Sequence, residues 1–237
     1  MKYIFVTGVP GSCWGWPRQY LQRATNLVDN SDCKPWRQNN GHDHATRHIG
    51  SYFGPYQEFG ENFDSLSLFP DADAIFKEVD RSFDATKEHL VRFVLCHHFS
   101  YQLDWIAENL PQVDILFALR NVEISLDMWY ASGGWDIDHP TYRWYGEDHR
   151  LRRQAHIEHK LMQKFVSKHK LQVNSGFDAN WCDANWPEMA PYVDKTKIVK
   201  LGAAQGQGTN PGLNVKTDSL HWAFYRGKKS TELKVKK

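Results

Sequence analysis

The part of the chain best suited to anion binding is the turn TGVPGSCWG at residues 7–15, which directly follows the apolar run KYIFV. Glycine and proline let the backbone turn tightly, so successive N–H groups and the start of the next helix can point at one phosphate. Counted from Gly8, however, Cys13, Trp14 and Gly15 occupy the positions at which the nucleotide-hydrolysing pattern GxxxxGK[ST] has glycine, lysine and a hydroxyl residue. The turn therefore predicts an anion site and argues against ATP or GTP hydrolysis. A connecting turn that binds nothing stays an alternative.

Two histidines and one arginine stand at the ends of later strand-like runs. His97 and His98 close LVRFVLCHH, and Arg120 ends the apolar part of VDILFALRN. Open α/β sheets bind ligands beyond the carboxyl ends of their strands, so these side chains are expected near the turn. Histidine can transfer a proton near neutral pH, and arginine can hold an anion through two N–H groups.

The elements that must position these residues follow an α/β pattern. Near-continuous apolar strands alternate with helix-compatible segments, which is typical of a parallel sheet covered on both faces. We expect strands at about 2–7, in LVRFVLCHH and in VDILFALRN, and helices from Pro17, at 71–88, in YQLDWIAENLP, at 122–132 and at 147–170. This order predicts a three-layer α/β/α sandwich with a central, mostly parallel sheet. The glycine-rich turn directly after the first strand favours the P-loop nucleoside triphosphate hydrolase type of this fold.

The remaining segments are less regular. Residues 29–70 mix polar, aromatic, glycine and proline residues and are expected to form an irregular insertion or a lid. KIVKLG is a possible last strand, AAQGQGTNPG a flexible or ligand-covering loop, and the basic residues 226–237 a flexible tail. A chain of 237 residues with 41% apolar content can bury a substantial core, so residues 1–225 are predicted to form a single domain.

Charge and cysteine content narrow the classes of partner. The formal net charge is +1, so the overall balance favours neither nucleic acid nor an anionic membrane. The first apolar run is too short for a secretory signal, and no later run approaches the length that spans a bilayer. The four cysteines contain no CxxC pair, which favours reduced thiols and a cytoplasmic location.

Two groups of histidines have spacings that a metal could use. HDHATRH lies in the irregular region without a supporting cysteine or a clear carboxylate frame, so we expect an ordinary surface loop there. His149, His156 and His159 lie on the charged helix at 147–170 and are expected to face solvent. No metal site is predicted.

Three blocks of the sequence resemble those of sulfotransferases and occur in the same order. The turn resembles the 5′-phosphosulfate loop T-x-x-P-[RK]-S-G-T-T, which Thr7, Gly8, Pro10 and Ser12 fit. The block VDILFALRNVEISLDMWY is similar to the family's 3′-phosphate segment, and RFVLCHHFSYQLDWIAENLP to the segment with the catalytic histidine. The whole chain, including HIGSYFGPYQEFG, also resembles short sulfotransferase-like P-loop proteins of marine phages and environmental sequences.

The resemblance implies a sulfotransferase-type fold and a transfer reaction that needs no metal. The sulfuryl group would move from 3′-phosphoadenosine-5′-phosphosulfate, the co-substrate, to a hydroxyl or amine of a small-molecule or carbohydrate acceptor. The family's catalytic histidine corresponds to His98 or His97, of which we favour His98 as the general base.

The resemblance also assigns the contacts of the nucleotide. Arg120 would hold its 3′-phosphate, and the family's serine eight residues later is Met128 here. Ser125 and Ser132 share the helical face of Met128, and Ser125 is the preferred substitute. The 5′-phosphosulfate would lie on Pro10, Gly11, Ser12, Cys13, Trp14 and Gly15. Because the loop lacks the family's basic residue and both threonines, Arg18 is the candidate for the missing charge.

Three other interpretations stay open. A degenerate member of the family could bind a nucleotide or phosphate without catalysis. A small-molecule kinase is disfavoured by the missing lysine of the loop. The surplus of tryptophan and tyrosine at 129–145 would also suit a non-enzymatic interaction or carbohydrate-binding protein.

Overall fold

Five strands form the centre of the protein in a computed structural model that describes residues 1–29, 65–81, 83, 90–131, 147–198 and 220–230. These strands are β1 (Lys2–Gly8), β2 (Val91–Leu95), β3 (Asp114–Arg120), β4 (Val173–Ser175) and β5 (Leu220–Tyr225). They form one open sheet in the order β2-β1-β3-β5-β4. β1 is parallel to both β2 and β3, whereas β5 is antiparallel to β3 and β4. The expected mixed α/β class with a mostly parallel sheet is therefore confirmed.

Helices follow the strands, and several begin at residues that favour a helix start. The α-helices are α1 (Trp16–Ala24), α2 (Ala72–Asp80), α3 (Leu103–Asn109), α4 (Val122–Ala131), α5 (Asp148–Lys168) and α6 (Ala179–Asn185). Pro17 lies in the first turn of α1, where its missing N–H costs no hydrogen bond. Asp71 caps α2 by accepting from the N–H of Ala74 at 2.8 Å. None of the helices in the described ranges is both long and apolar enough to cross a membrane.

Alternate side chains of the strands build an apolar cluster on each face of the sheet. On one face, which we call the α5 face, Phe5 and Phe117 pack with residues of α2, α3, α4 and α5. On the other, the α1 face, Val6 and Leu116 pack with residues of α1 and α6. Burial on both faces explains why β1, β2 and β3 are continuous apolar runs.

The chain leaves neighbouring strands towards opposite faces. β1 leads to α1 on the α1 face, whereas β3 leads to α4 on the α5 face. β2 leads through a 3₁₀ turn, His97–Tyr101, to α3 on the α5 face as well. Such a reversal between adjacent parallel strands opens the crevice in which α/β sheets of this kind bind ligands. The turn after β1 therefore stands where a ligand is expected.

A buried lysine joins the start of β1 to three other parts of the chain. The ammonium of Lys2 lies 2.6 Å from the carboxylate of Asp114 and donates to Glu188 at 2.9 Å and to Ser230 at 2.8 Å. Asp114 in turn accepts from the N–H of Gly227 at 2.9 Å. Both charged side chains of the Lys2–Asp114 pair are fully buried, so each depends on the other.

A buried arginine also forms ion pairs at the outer strand, β2. Arg92 on β2 donates to Asp29 at 3.2 Å and makes a second, short ion pair with Asp80. Its guanidinium also lies 4.8 Å above the ring of Phe83. Asp29 is completely buried, so Arg92 provides the charge that this carboxylate needs.

The predicted elements differ from the structure at several places. The helix expected at 71–88 ends at Asp80, and the possible strand KIVKLG begins within a 3₁₀ turn, Lys195–Lys197, after which Ile198 is not in a strand. β4, β5 and α6 were not predicted. Most of the expected insertion, residues 30–64, and the loop AAQGQGTNPG lie outside the described residues.

The beginning of the predicted basic tail is attached to the sheet. Besides the bond from Gly227 to Asp114, the N–H of Lys229 donates to the carbonyl of Pro111 at 2.7 Å. Residues 231–237 lie outside the described part of the chain.

Candidate anion-binding site

The turn after β1 has a conformation that few residues adopt. Gly11 and Cys13 have φ angles of 75° and 63°, in the left-handed region. For a residue with a side chain, such as Cys13, this region costs about 1–2 kcal/mol. The N–H of Ser12 donates to the carbonyl of Val9 at 3.0 Å, which closes the turn. Within the described residues, the N–H groups of Gly11 and Cys13 have no acceptor, so they are available to an anion.

Gly11 lies directly against α4. A Cβ at this position would overlap the carbonyl oxygen of Ser125 and lie 2.9 Å from the backbone nitrogen of Trp129. A larger residue would therefore push the turn away from the helix, which explains why this turn has glycine where the sulfotransferase pattern has a basic residue. The hydroxyl of Ser125 donates to the carbonyl of Asn121 at 2.9 Å, so its proton is already used in a hydrogen bond within the N-terminal turn of α4.

Arg120 extends from the end of β3 to the turn and is only 3% exposed. One terminal nitrogen, Nη1, lies 3.5 Å from the carbonyl oxygen of Gly11 and 3.5 Å from the sulfur of Cys13. The same nitrogen makes a short contact with the sulfur of Met128. Among the described residues, the buried Nε has no hydrogen-bond partner and no carboxylate forms an ion pair with this guanidinium. Arg120 is therefore a buried cation whose charge the described residues leave uncompensated.

The surroundings of Arg120 affect its pKa and that of Cys13. Burial lowers the pKa of Arg120, and the neighbouring Cys13 only partly opposes this effect. Burial raises the pKa of the Cys13 thiol to about 11, although the nearby guanidinium acts in the opposite direction. The thiol is therefore neutral near pH 7 and supplies no negative charge. A bound anion would supply the charge that Arg120 requires.

Asn121, the residue after Arg120, begins the helix that follows β3. Its Oδ1 accepts from the N–H of Glu123 at 2.9 Å and from that of Ile124 at 3.2 Å, which caps α4. The Arg-Asn pair at the end of β3 thus has two separate roles. The asparagine starts the helix, and the arginine points to the turn.

His97 is the histidine that contacts the turn. Its Nδ1 forms a short hydrogen bond with the carbonyl oxygen of Gly8, and its ring lies 4.0 Å from the ring of Trp14. A carbonyl can only accept a hydrogen bond, so Nδ1 carries a proton, and in the neutral form of the ring the lone pair lies on Nε2. His97 is therefore held in the tautomer that a general base needs.

His98 is turned away from this contact. It is 7% exposed, and its ring lies 5.9 Å from the ring of Tyr101. Tyr101 in turn bonds to Gln154 of α5 and its pKa is raised, first by burial and then by the charge of Glu158. The two adjacent histidines thus face different surroundings, His97 beside the turn and His98 beside Tyr101.

The other predicted residues of the turn are mostly buried. The hydroxyl of Ser12 is inaccessible and has no hydrogen-bond partner in the described part of the chain. A Cβ on Gly8 would approach this hydroxyl to 2.5 Å, so glycine at that position makes room for it. Pro10 and Gly15 are buried in the turn, as is Arg18 in α1.

One prediction about α5 is wrong. His159 was expected to face solvent with His149 and His156, but it is half-buried and its Nδ1 is inaccessible without a partner among the described residues. Burial lowers its pKa, and the neighbouring His156 adds to this effect. The sequence held the signal, because His159 follows buried Ala155 by four residues and so shares its helical face.

Potential metal ligands do not come together in the described ranges, where no three His, Cys, Asp or Glu side chains are grouped to hold an ion. The HDHATRH segment lies outside these ranges. Among the described cysteines, Cys13, Cys96 and Cys182, no disulfide is formed.

Comparison with known proteins gives no family for this chain. No protein-family model matches the sequence. No curated protein matches it significantly, and no solved structure does so. The function must therefore be argued from the geometry of the site.

Proposed function

We propose that this protein is a sulfotransferase of the P-loop type, which transfers a sulfuryl group from 3′-phosphoadenosine-5′-phosphosulfate to a hydroxyl or amine. The observation that carries the proposal is Arg120, a buried cation without a described carboxylate partner, in contact with the turn at residues 9–15. Both are parts of the site to which the sequence resemblance assigns the nucleotide.

The residues around Arg120 fit an oxyanion. The unpartnered Nε of Arg120 and the unpaired N–H groups of Gly11 and Cys13 are donors, and donors are what a phosphate or sulfate requires. The turn also lies at the crevice between oppositely covered strands. These features support an anionic ligand, whichever nucleotide carries it.

The composition of the turn favours a sulfuryl donor over a nucleoside triphosphate. Trp14 and Gly15 replace the lysine and the hydroxyl residue with which triphosphate-hydrolysing loops hold the phosphates and magnesium. Sulfuryl transfer needs donors for the leaving phosphate and a base for the acceptor, and no metal in principle.

His97 is the better candidate for the base. The carbonyl of Gly8 fixes the proton on Nδ1, so Nε2 can accept the proton of an acceptor hydroxyl as its oxygen attacks the sulfur. The bond between sulfur and the bridging oxygen breaks, and its electron pair leaves with adenosine 3′,5′-bisphosphate. This assignment differs from the sequence-based preference for His98, whose ring lies beside Tyr101.

Calorimetry with adenosine 3′,5′-bisphosphate, adenosine 5′-phosphate, ATP and GTP tests the binding part of the proposal. We expect the bisphosphate to bind most tightly, and Arg120→Met to weaken its binding by about thirtyfold or more, since a buried charge-assisted contact is worth about 2–5 kcal/mol. Arg153→Met, which removes an exposed arginine from α5, is the matched control and should change nothing. Equal affinity of the wild type and the Arg120→Met variant for the bisphosphate would contradict the assignment of Arg120 to the nucleotide site.

Transfer of labelled sulfate to a panel of phenols, alcohols, amines and sugars tests the catalytic part. His97→Gln should retain nucleotide binding and lose transfer by about a hundredfold or more, because it removes the base. His98→Gln is the comparison, and a larger loss in that variant with His97→Gln unaffected would reverse the assignment.

One observation favours a second candidate, a protein that binds the nucleotide without catalysis. Met128 packs against Nη1 of Arg120, where the resemblance places a serine that would itself contact the phosphate. The two candidates separate in the same assays, because a binder would take up adenosine 3′,5′-bisphosphate but show no transfer to any acceptor. Met128→Ser should then raise nucleotide affinity without restoring transfer.

A further inference from the structure

A second pocket opens beside the carboxyl end of β3, on the side away from β1. It has a volume of about 860 Å³ and lies between β3, β4, β5 and the last turns of α5. Its apolar wall consists of Leu119, Val166, Leu171 and Val173. A pocket of this size accommodates a small organic molecule.

The polar part of the pocket carries only positive or neutral groups. Lys170 and Arg120 line it together with the imidazoles of His159 and His221, and no aspartate or glutamate is among its described lining residues. Cations gathered without a carboxylate create a positive potential that attracts anions. The pocket therefore combines an apolar wall with a cationic edge.

One lining residue has a buried nitrogen without a partner in the described part of the chain, Nδ1 of His159. Buried polar atoms are almost always hydrogen-bonded in folded proteins, so an unpartnered one on a residue that lines a pocket indicates a missing ligand. When Nδ1 carries the proton, it can donate to an anionic group. Arg120 also lines the pocket, but its Nη1 contacts the turn at residues 9–15, where it is assigned to the nucleotide.

Lys170 occupies a position at which lysine is unfavourable for folding. It lies two residues after the end of α5 with φ of 51°, and the N–H of Leu171 donates back to the carbonyl of Val166 at 3.0 Å. Helices that end in this way usually have glycine or asparagine at the left-handed position. Lysine has no conformational advantage here, but it adds a charge to the edge of the pocket.

We propose that this pocket binds a small organic anion, with a phosphate, sulfate or carboxylate group at Lys170 and His159 and an apolar part against Leu119 and Val166. The site goes beyond the proposed function, because His159 and Val166 lie on α5, Lys170 lies two residues after it, and none of them belongs to the turn at 9–15. It would exist whether or not the protein transfers sulfate.

Titration with 4-nitrophenyl phosphate, 4-nitrophenyl sulfate and 4-nitrobenzoate tests the proposal, with uncharged 4-nitroanisole as the control ligand. We expect saturable binding of at least one anion by calorimetry, with changes in the imidazole NMR signals of His159 and His221. Assignment of these signals among the 12 histidines uses His159→Gln and His221→Gln. 4-Nitroanisole should bind at least tenfold more weakly.

Lys170→Asn is the decisive variant, because asparagine tolerates the left-handed conformation and keeps α5 folded. It should weaken binding of the anion about tenfold, the effect of one lost charge-assisted contact, while thermal unfolding stays at or above the wild-type temperature. Lys164→Gln removes an exposed lysine of α5 that does not line the pocket and should leave binding unchanged. No saturable binding of any of the three anions, or equal binding by Lys170→Asn, would overturn the proposal. Neither result depends on a sulfate-transfer assay, so this proposal and the proposed function can fail separately.

Discussion

Replacement of Arg120 by methionine should stabilise the free protein. The guanidinium is 3% exposed, and its polar neighbours are a carbonyl at 3.5 Å, the neutral thiol of Cys13 and the thioether of Met128. Burial of an ion costs several kcal/mol after relaxation, and one long bond to a neutral carbonyl offsets only about 1 kcal/mol. Methionine has a similar unbranched shape without the charge. We therefore expect the free energy of unfolding to rise by about 1–3 kcal/mol.

The assay is thermal and urea unfolding in a buffer free of phosphate and sulfate, because a bound anion would hide the effect. For a chain of this size, about 2–4 °C is expected for each kcal/mol, so the melting temperature should rise by about 2–12 °C. Addition of adenosine 3′,5′-bisphosphate at a hundred times its dissociation constant should stabilise the wild type by about 2.7 kcal/mol. The same concentration should stabilise the Arg120→Met variant by less than about 1 kcal/mol.

Arg92 provides a matched control with the opposite expectation. It is also buried, at 5% exposure, but it has Asp29 and Asp80 as partners. Arg92→Met would leave the fully buried carboxylate of Asp29 without its arginine, so we expect a loss of about 3–5 kcal/mol. Equal and large losses of stability in both variants would refute the reasoning, since Arg120 would then be compensated as well as Arg92 is.

Three further predictions concern the sheet and the turn. Lys2→Met should lower the free energy of unfolding, measured by urea unfolding, by about 3–5 kcal/mol, because the carboxylate of Asp114 stays buried without its cation. Adding Asp114→Asn to this variant should recover part of the loss. Gly11→Ala should lower the free energy of unfolding by about 2–4 kcal/mol, because residue 11 has a left-handed conformation and the added methyl group overlaps the carbonyl of Ser125. An unchanged urea midpoint would mean that the turn does not pack on α4. Cys13, whose pKa burial raises from 9.0 to about 11, should react with iodoacetamide at pH 8 roughly a hundredfold more slowly than an unperturbed thiol, as followed by peptide mass spectrometry. A fast reaction would show that the thiol is less buried than described.

The central strands were predictable because a strand that is buried on both faces of the sheet has apolar residues at nearly every position. β1, β2 and β3 are continuous apolar runs, and all of their residues are buried. β4 has only three residues, two of them exposed, so no apolar pattern marks it. β5 reads LHWAFY, but its role depends on pairing with β3, about a hundred residues earlier in the chain. The pattern of apolar residues within one short segment does not show which distant strand it pairs with.

The candidate site was predictable only in part. Arg120 was expected near the turn because the carboxyl ends of parallel strands meet at one edge of the sheet, and it does contact Gly11 and Cys13. The choice between His97 and His98 depends on which face of the sheet carries the turn and α1. Residues 91, 93 and 95 of β2 pack on the α1 face, and His97 continues that alternation towards Trp14. The sequence shows the alternation but not the face on which α1 lies.

The position of β5 also governs the order in which the chain can assemble. β5 lies between β3 and β4, so the edge of β3 stays unpaired until residues 220–225 are available. During synthesis at about 5–20 residues per second, the hundred residues that separate these strands take roughly 5–20 seconds. For that time a nascent chain presents β3 as an open, apolar strand edge, which is a template for pairing with other chains. Cell-free synthesis of the chain should therefore yield aggregated protein that a holding chaperone, present during synthesis, reduces.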